Sequence, residues 1–324
     1  MARDHGGNID WAIAQYGAGD WIDLSTGINR RPWPIEKVSA QAWHALPTAR
    51  ASRHLTQIAA SWFGCDPANI LPVNGASAAI QMIPRLFAPG NAAVLTPTYN
   101  EHAASLRSAN WSVTKVADPH HMAGAKLAVV VNPNNPDGRE WSPGTLTELA
   151  QKVGHLIVDE SFADPRPDLS IASGFPDNAI ILRSFGKFWG LAGLRLGFVI
   201  AHTDLLAKLA EIAGPWMVNG PALEIAAAAM ADTDWADETI GYHSEAGLRL
   251  DHLALRAGWQ QAGGTHLFRL YSTPAAKAVQ AALARNHIWT RQFPYSDTWL
   301  RMGVPGNRHE WDRVTAAFNA LGRP

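Results

Sequence analysis

The chain has 324 residues, of which 47% are apolar and 17% are charged, a balance typical of a compact globular protein with a large core. Its formal net charge is −1 and its sequence has no long run of basic residues, which argues against nucleic acid as a partner. A single cysteine, Cys65, excludes an intramolecular disulfide bond and a metal site built from several thiolates.

Short apolar segments alternate with longer segments rich in Ala and Leu through the middle of the chain. The short segments are partly β-branched, are bounded by Gly, Pro, Asn or Asp, and predict buried strands at 92–96, 112–116, 127–132, 156–159, 179–182 and 196–200. Predicted helices at 76–86, 101–109 and 143–153 accompany them. This alternation predicts an α/β fold with a mostly parallel, doubly wound sheet in a large domain.

The pattern changes after residue 200. Helices are predicted at 204–213, 221–231 and 239–262, followed by strands at 265–271 and 299–302 with a helix at 275–286 between them. These elements indicate a second, smaller α+β unit, and the segment before Leu46 is too short to fold alone. We therefore expect a large α/β domain at 46–213, which contains the candidate ligand-binding segments, and a small domain formed by 1–45 together with 214–324.

One lysine, Lys187, stands among apolar and glycine residues directly after a predicted strand. Open α/β sheets bind ligands at the carboxyl ends of their strands. Burial at such a place disfavours the charged form of an amine and makes it nucleophilic enough to form an imine. Ser184 and Arg195, on either side, are suited to bind a phosphate. The alternative is a glycine-rich loop with an ordinary exposed lysine.

Three further polar segments follow predicted strands or begin a predicted helix. The segment 132–138 contains two Asn-Pro units, which restrict the backbone and fix where the amides point, unless the segment is a plain Pro/Asn turn. Asp159 ends a strand, and a buried carboxylate there needs a cationic partner such as a pyridinium nitrogen, unless it is an N-cap or part of a structural ion pair. Gly75, Ala76 and Ser77 begin a helix whose N–H groups can bind an anion, although Ser77 could equally be an ordinary N-cap.

Taken in this order, the segments resemble enzymes of the class I and II aminotransferase fold that use pyridoxal 5'-phosphate (PLP), a family that includes histidinol-phosphate aminotransferase. The resemblance covers most of the chain. It implies that Lys187 carries PLP through a Schiff base and that Asp159 pairs with the pyridine nitrogen. It also implies that Asn135 hydrogen-bonds the 3'-oxygen of the ring, that Tyr99 stacks on the ring, and that His102 supports Asp159.

The same resemblance assigns the cofactor phosphate to residues at two places in the chain, namely Gly75, Ala76, Ser77, Ser184 and Arg195. Two positions depart from the pattern of the family. Phe162 stands where many members have a tyrosine that also reaches the 3'-oxygen. Leu46 stands where many members have a tyrosine that reaches the cofactor phosphate of the partner subunit. Both departures argue against an ordinary aminotransferase.

The ends of the chain resemble a narrower subgroup, the threonine-phosphate decarboxylases of cobalamin biosynthesis. The similar segments are 5–8, 23–29, 288–291 and 300–306. This resemblance implies decarboxylation of L-threonine O-3-phosphate to (R)-1-amino-2-propanol O-2-phosphate. Arg301 is the expected ligand of the substrate carboxylate, in a bidentate pair. The candidates for the substrate phosphate are His5, Gly6, Gly7, Asn29 and Arg291, unless 5–7 is a disordered tail and Arg291 a surface ion pair.

Two other functions stay open. The first is an aminotransferase of the histidinol-phosphate type, or one acting on another amino acid, which would need a 2-oxo acid and pass through the pyridoxamine form. The second is a PLP-fold regulator or binding module, which the presence of Lys187 and the lack of room for a DNA-binding domain disfavour.

We expect no metal site, and a small-molecule substrate bound at the interface of a homodimer. The N-terminal residues lack the apolar region of a secretory signal, and no segment reaches the ~18 to 20 apolar residues that span a bilayer. A cytoplasmic protein without membrane association is therefore the expectation.

Overall fold

A computed structural model describes residues 5–321 of the chain. Its α-helices, in chain order, are α1 (Ile9–Tyr16), α2 (Ala40–His44), α3 (Ala49–Phe63), α4 (Ala76–Met82), α5 (Asn100–Ser108), α6 (Pro143–Ala150), α7 (Phe185–Phe188), α8 (Thr203–Ala213), α9 (Gly220–Ala231), α10 (Thr233–Arg256), α11 (Ala276–Ala284) and α12 (Arg308–Leu321). Short 3-10 helices are found at Pro67–Asn69, Ile83–Arg85, Pro119–Met122, Pro167–Leu169 and Ala192–Leu194.

The strands are β1 (Ile22–Asp23), β2 (Ile70–Val73), β3 (Asn91–Leu95), β4 (Ser112–Val116), β5 (Leu127–Val131), β6 (His155–Asp159), β7 (Ala179–Ser184), β8 (Gly197–Ile200), β9 (Gln260–Gly264), β10 (Phe268–Ser272), β11 (Ile288–Trp289), β12 (Arg291–Phe293) and β13 (Ser296–Gly303). Within residues 5–321, no helix is both long and apolar enough to cross a membrane.

The chain forms two compact units. The larger unit consists of Trp33–Asn135 and Arg139–Thr233. The smaller unit consists of the described residues up to Pro32, the short segment Pro136–Gly138, and the described chain from Asp234 onward.

The larger unit is built on a seven-stranded sheet with the order β2-β8-β7-β6-β5-β3-β4. The strands from β7 to β4 are parallel to their neighbours, whereas β8 is antiparallel to β7 and β2 is antiparallel to β8. All five residues of β5 are buried, as expected of a central strand with helices on both faces. The predicted α/β fold with a mostly parallel sheet is confirmed.

The helices of the larger unit begin and end at residues suited to these places. α3 starts after Thr48, whose side chain accepts a hydrogen bond from the Ala51 N–H, and ends at Gly64 in the left-handed conformation, with a φ of 69°. α6 starts after the N-cap Ser142 with Pro143 in its first turn, where the missing N–H costs nothing.

The smaller unit has a four-stranded antiparallel sheet with the order β12-β13-β10-β9 and a separate parallel pair, β1 with β11. Its core contains Leu250 of α10, Tyr271 of β10 and Phe318 of α12. The predicted helix 239–262 was too long at its C-terminal end. α10 stops at Arg256 because the left-handed Gly258 allows Trp259 N–H to donate to Ala254 O and Gly258 N–H to donate to Leu255 O.

The compact units divide at Pro32/Trp33 and at Thr233/Asp234, whereas we placed domain boundaries at 45/46 and 213/214. The reason is packing within the larger unit. The backbone N–H and hydroxyl of Ser39 donate to Glu224, on α9, and Trp33 Nε1 donates to Asp232. How far the units act as separate functional domains stays a prediction.

Candidate active site

The larger unit has a cavity of about 110 Å³ at the edge of its sheet. Strands β3, β5, β6 and β7 are parallel, so their carboxyl ends lie at the same edge, and the loops that follow three of them contribute to the cavity. The lining residues include predicted and unpredicted ones, which are Gly75, Ala76, Ser77, Ile80, Tyr99, Val131, Asn135, Asp159, Ser161, Phe162, Ser184, Gly186, Lys187, Ala192, Arg195 and Leu196.

Lys187 is presented to this cavity by the short helix α7, which follows β7 directly. Its Nζ lies 5.9 Å from the ring centroid of Phe162. A side chain at Gly186 would place its Cβ only 2.7 Å from Ala192 Cα, so glycine is needed for this close approach of the backbone. The local sequence therefore fixes the position of the lysine by packing as well as by secondary structure.

Asp159 is the last residue of β6 and is almost completely buried. Its Oδ2 lies 2.8 Å from His102 Nε2. Its Oδ1 accepts two hydrogen bonds from Ser161, one from the backbone N–H at 3.0 Å and one from the hydroxyl at 2.5 Å. Burial alone would raise the pKa of Asp159. The hydrogen bond and the charge of His102, together with the two hydrogen bonds from Ser161, instead lower this pKa below its ordinary value. The site therefore contains an ionised carboxylate.

Asn135 and Tyr99 lie on two loops that are tied together by hydrogen bonds. Thr98 Oγ1 donates to Asn134 Oδ1 at 2.7 Å, and Asn134 Nδ2 donates to Pro97 O at 2.8 Å. The buried Asn134 thus uses both ends of its amide to hold the loop after β3 against the loop after β5. These contacts set the separation between the Tyr99 ring and the Asn135 side chain.

The end of the cavity near α4 carries the residues predicted to bind a phosphate. Gly75 has a φ of 78°, and a Cβ built there would lie 3.1 Å from Arg195 Nη2, so the guanidinium of Arg195 packs directly over this glycine. The first N–H groups of a helix have no acceptor within the helix, which suits them to an anion. Burial, reinforced by the charges of Glu101 and Asp159, raises the pKa of the Tyr99 phenol, and a hydrogen bond with Ser77 offsets part of this.

A buried ionic cluster lies directly beyond Asp159 in the chain. Arg183 Nη1 donates to Glu160 Oε2 at 2.8 Å, and Arg183 Nη2 donates to Asp164 Oδ1 at 3.0 Å. Ser170 Oγ donates to the same Glu160 oxygen at 2.6 Å. The cluster ties Glu160 and Asp164, which flank Ser161 and Phe162 in the chain, to Arg183 of β7.

The predicted substrate ligands lie in the smaller unit, where some of them meet around Ser25. Gly7 N–H donates to Ser25 Oγ at 2.7 Å, and Arg301 Nη2 donates to Ser25 O at 2.7 Å. A Cβ at Gly6 would lie 2.4 Å from Ser25 O, so only glycine fits there. The Ser25 hydroxyl and N–H both donate to Asp23 Oδ1, the arrangement that also joins Ser161 to Asp159.

The other predicted substrate ligands differ in their exposure. Asn29 is buried, and its Oδ1 accepts a hydrogen bond from the Arg31 N–H. His5 is exposed. Arg291 is partly buried and is the cross-strand partner of Arg301. Burial, together with the charge of Arg291, lowers the pKa of Arg301 to about 10.

All the residues predicted to bind the cofactor line the cavity, except His102, which contacts Asp159 from behind it. Their individual roles stay predictions. Ser161, Thr98 and Asn134 were not predicted from the sequence as site residues. The available signal for Ser161 was its position two residues after an acidic residue, where Ser commonly bonds back to the Asp side chain. Among the described residues, no group of His, Cys, Asp and Glu side chains is arranged to hold a metal ion.

The family model for class I and II aminotransferases matches residues 19–318. The chain belongs to this family. Among class I and II aminotransferase relatives, it is 44% identical to the threonine-phosphate decarboxylase of a Sinorhizobium species over 311 residues, which cover 93% of this chain and 92% of the relative. It is 39% identical to the threonine-phosphate decarboxylase of Pseudomonas aeruginosa over 332 residues, covering 99% and 98%.

The fold is also that of a solved structure. The structure of histidinol-phosphate aminotransferase from Sinorhizobium meliloti in complex with PLP superposes with a TM-score of 0.82 at 21% identity, covering 97% of this chain and 94% of that one. Such a distant likeness shows the fold alone. The match to the family model and the two relatives confirm the predicted resemblance to the class I and II aminotransferase family.

Proposed function

We propose that this member of the class I and II aminotransferase family is a PLP-dependent decarboxylase that acts on L-threonine O-3-phosphate and releases (R)-1-amino-2-propanol O-2-phosphate. The observation that carries the proposal is the near-full-length similarity to two threonine-phosphate decarboxylases, in a chain whose cavity is lined by both a lysine and an ionised aspartate. The product belongs to the biosynthesis of cobalamin, as the resemblance implies.

The donor set of the cavity fits PLP. The cofactor has an aldehyde, a basic ring nitrogen, a ring hydroxyl and a phosphate, and the cavity offers a group suited to each of them. Lys187 would bind the aldehyde carbon, Asp159 the ring nitrogen and Asn135 the ring hydroxyl. The phosphate would be held by the first N–H groups of α4 together with Arg195 and Ser184. The glycine at position 75 supports this arrangement, because a side chain there would place its Cβ 3.1 Å from Arg195 Nη2.

When bound, PLP supplies an electron sink for the pair of electrons left by a broken bond at the substrate Cα. The protein has to orient the substrate so that one particular bond at Cα breaks, and it has to transfer the protons. Asp159, kept ionised by His102 and Ser161, holds a proton at the ring nitrogen. CO₂ leaves with cleavage of the bond between Cα and the carboxylate, and the Lys187 amine is our candidate to deliver the proton that replaces it.

The substrate has two anionic groups, a carboxylate and a phosphate, and the smaller unit offers two guanidinium groups. Arg291 and Arg301 face each other across paired strands. We assign the carboxylate to Arg301, because a planar guanidinium can bind it through two hydrogen bonds, and the phosphate to Arg291 with His5, Gly6, Gly7 and Asn29.

The test is to measure CO₂ release by the purified, PLP-loaded protein from L-threonine O-3-phosphate without any 2-oxo acid. We expect sustained turnover, with one CO₂ and one amino-propanol phosphate formed per substrate consumed. The Lys187→Ala variant serves as the background control. A protein that releases no CO₂ but converts its cofactor to the pyridoxamine form with histidinol phosphate would instead be an aminotransferase, and the proposal would be abandoned.

We also propose that the chain functions as a cytoplasmic homodimer, as the resemblance implies. Exposed apolar side chains of the larger unit, such as Trp43, Leu46 and Trp216, support burial against a second copy. Light scattering of the purified protein measures the oligomeric state directly, and a mass equal to one chain at micromolar concentration would contradict the proposed dimer.

A further inference from the structure

Ser161 makes two hydrogen bonds to one oxygen of the Asp159 carboxylate, and this uneven distribution has a consequence for the cofactor. An ionised carboxylate has about four acceptor positions, two on each oxygen. Oδ1 accepts both the N–H and the hydroxyl of Ser161. Oδ2 accepts one hydrogen bond, from His102 Nε2, which must be the donor because an ionised carboxylate only accepts.

We propose that Ser161 is a positioning residue that fills both acceptor positions of Asp159 Oδ1 and so commits Oδ2 to the ring nitrogen of PLP. This inference rests on the proposed PLP-dependent function. Donors within residues 5–321 occupy three of the about four acceptor positions of Asp159, and the remaining position is on Oδ2.

Several features of the described residues favour this role over that of an ordinary turn. Ser161 lines the cavity, whereas His102 reaches Asp159 from outside it. Asp159, Ser161 and His102 are all buried, so water does not compete effectively for the carboxylate. Two donors on Oδ1 and one on Oδ2 also restrict rotation of the carboxylate about its own axis, which a single buttressing histidine leaves possible.

The neighbouring acid provides a matched comparison. Ser170, which is partly buried, donates its hydroxyl to Glu160 Oε2 at 2.6 Å, so it is a second serine bonded to a buried carboxylate of the same loop. Ser170 and Glu160 do not line the cavity. A purely structural effect of losing a serine hydroxyl in this region should therefore appear in Ser170→Ala as well as in Ser161→Ala.

The experiment measures the dissociation constant of PLP and of an analogue in which carbon replaces the ring nitrogen, using the full-length protein. Quenching of tryptophan fluorescence and visible circular dichroism of the bound cofactor give the binding and its orientation. For Ser161→Ala we expect PLP to bind roughly tenfold more weakly, the size expected for a hydrogen bond to a charged group. The carbon analogue, which makes no bond to Asp159, should change by about twofold or less.

Ser161→Cys keeps the shape of the side chain but replaces the hydroxyl with a weak donor, and we expect an intermediate loss for PLP alone. Ser170→Ala should weaken neither ligand, or both equally. Equal losses for PLP and its analogue in both Ser161 variants, or no loss in either, would overturn the positioning role while leaving the proposed function intact. A wild-type protein that does not bind PLP at all would overturn both.

Discussion

Arg291 and Arg301 occupy directly opposite positions on the antiparallel strands β12 and β13. Opposite residues of such strands project from the same face, close enough for their charges to interact. Two adjacent cations repel each other, which contributes to the lowered pKa of Arg301. A ligand with two anionic groups relieves this repulsion, and the pair is therefore better suited to a phosphorylated amino acid than to an amino acid with a single carboxylate.

Replacing Arg301 tests its assignment to the substrate carboxylate. We expect Arg301→Ala to lower kcat/KM by roughly 30- to 5,000-fold, mainly through KM, because truncating a buried charged partner costs about 2 to 5 kcal/mol. Steady-state CO₂ release as a function of L-threonine O-3-phosphate concentration measures this. Arg301→Lys keeps the charge without the planar fork and should be intermediate. Near-normal kinetics in the alanine variant would move the carboxylate site elsewhere.

Replacing Arg291 tests its assignment to the substrate phosphate. We expect Arg291→Ala to reduce kcat/KM for L-threonine O-3-phosphate much more than for unphosphorylated L-threonine, since only the phosphorylated substrate loses a charge-assisted bond. The measurement compares the ratio of the two kcat/KM values in the wild-type protein and in the variant. An unchanged ratio would remove Arg291 from the phosphate site even if both activities fell.

Replacing Lys187 tests the covalent attachment of PLP. The Lys187→Ala variant should lose the visible absorbance of the imine and should release bound PLP on dialysis, because the covalent bond to the protein is gone. Lys208→Ala, which removes an exposed lysine from α8, serves as the control and should keep both properties. Retention of the wild-type spectrum by Lys187→Ala would show that another amine carries the cofactor.

A buried histidine predicts how the stability of the protein depends on pH. Burial, with the nearby positive groups of His266 and Arg31, lowers the pKa of His243 on α10 from 6.5 to about 4. The neutral form is thus favoured in the folded state, so its contribution to stability is fully present above pH 6.5 and is lost as the pH falls toward 4. The loss across this window should reach up to about 3 kcal/mol.

Urea unfolding at several pH values measures the effect of His243. The His243→Phe variant should show a smaller decrease in the free energy of unfolding between pH 6.5 and pH 4 than the wild-type protein. His252→Phe alters an exposed histidine of the same helix and should leave the decrease unchanged. Parallel curves for wild type and His243→Phe would assign the acid sensitivity to other groups.

Much of the large sheet could be predicted from sequence because its central strands are continuous apolar segments. The bounds predicted for β5 and β6 nearly match the observed ones. The edge strand β2, by contrast, was not predicted, since its four residues Ile70–Val73 include a proline and pair antiparallel with β8. Strand order and direction at this side of the sheet depend on contacts between distant segments, which a local pattern does not contain.

The candidate site shows the same division between local and distant information. Lys187, Asp159 and Asn135 each follow or end an apolar strand, so their positions could be predicted from neighbouring residues. Thr98 and Asn134 could not, because the hydrogen bond between them joins two loops that are 36 residues apart in the chain. Ser161 was missed for a different reason, since a serine two positions after an aspartate is common in turns that have no ligand.

The bonding of Ser161 to Asp159 is contained within three consecutive residues, and the same arrangement joins Ser25 to Asp23 in the smaller unit. A three-residue segment that supplies both the carboxylate and its hydrogen-bond donors requires little from the surrounding fold. We therefore expect the same bonding to form when the unit is placed in another fold. In other cofactor enzymes with an aspartate at the end of a parallel strand, placing serine two residues later offers protein engineers a one-residue means of locking the orientation of that carboxylate.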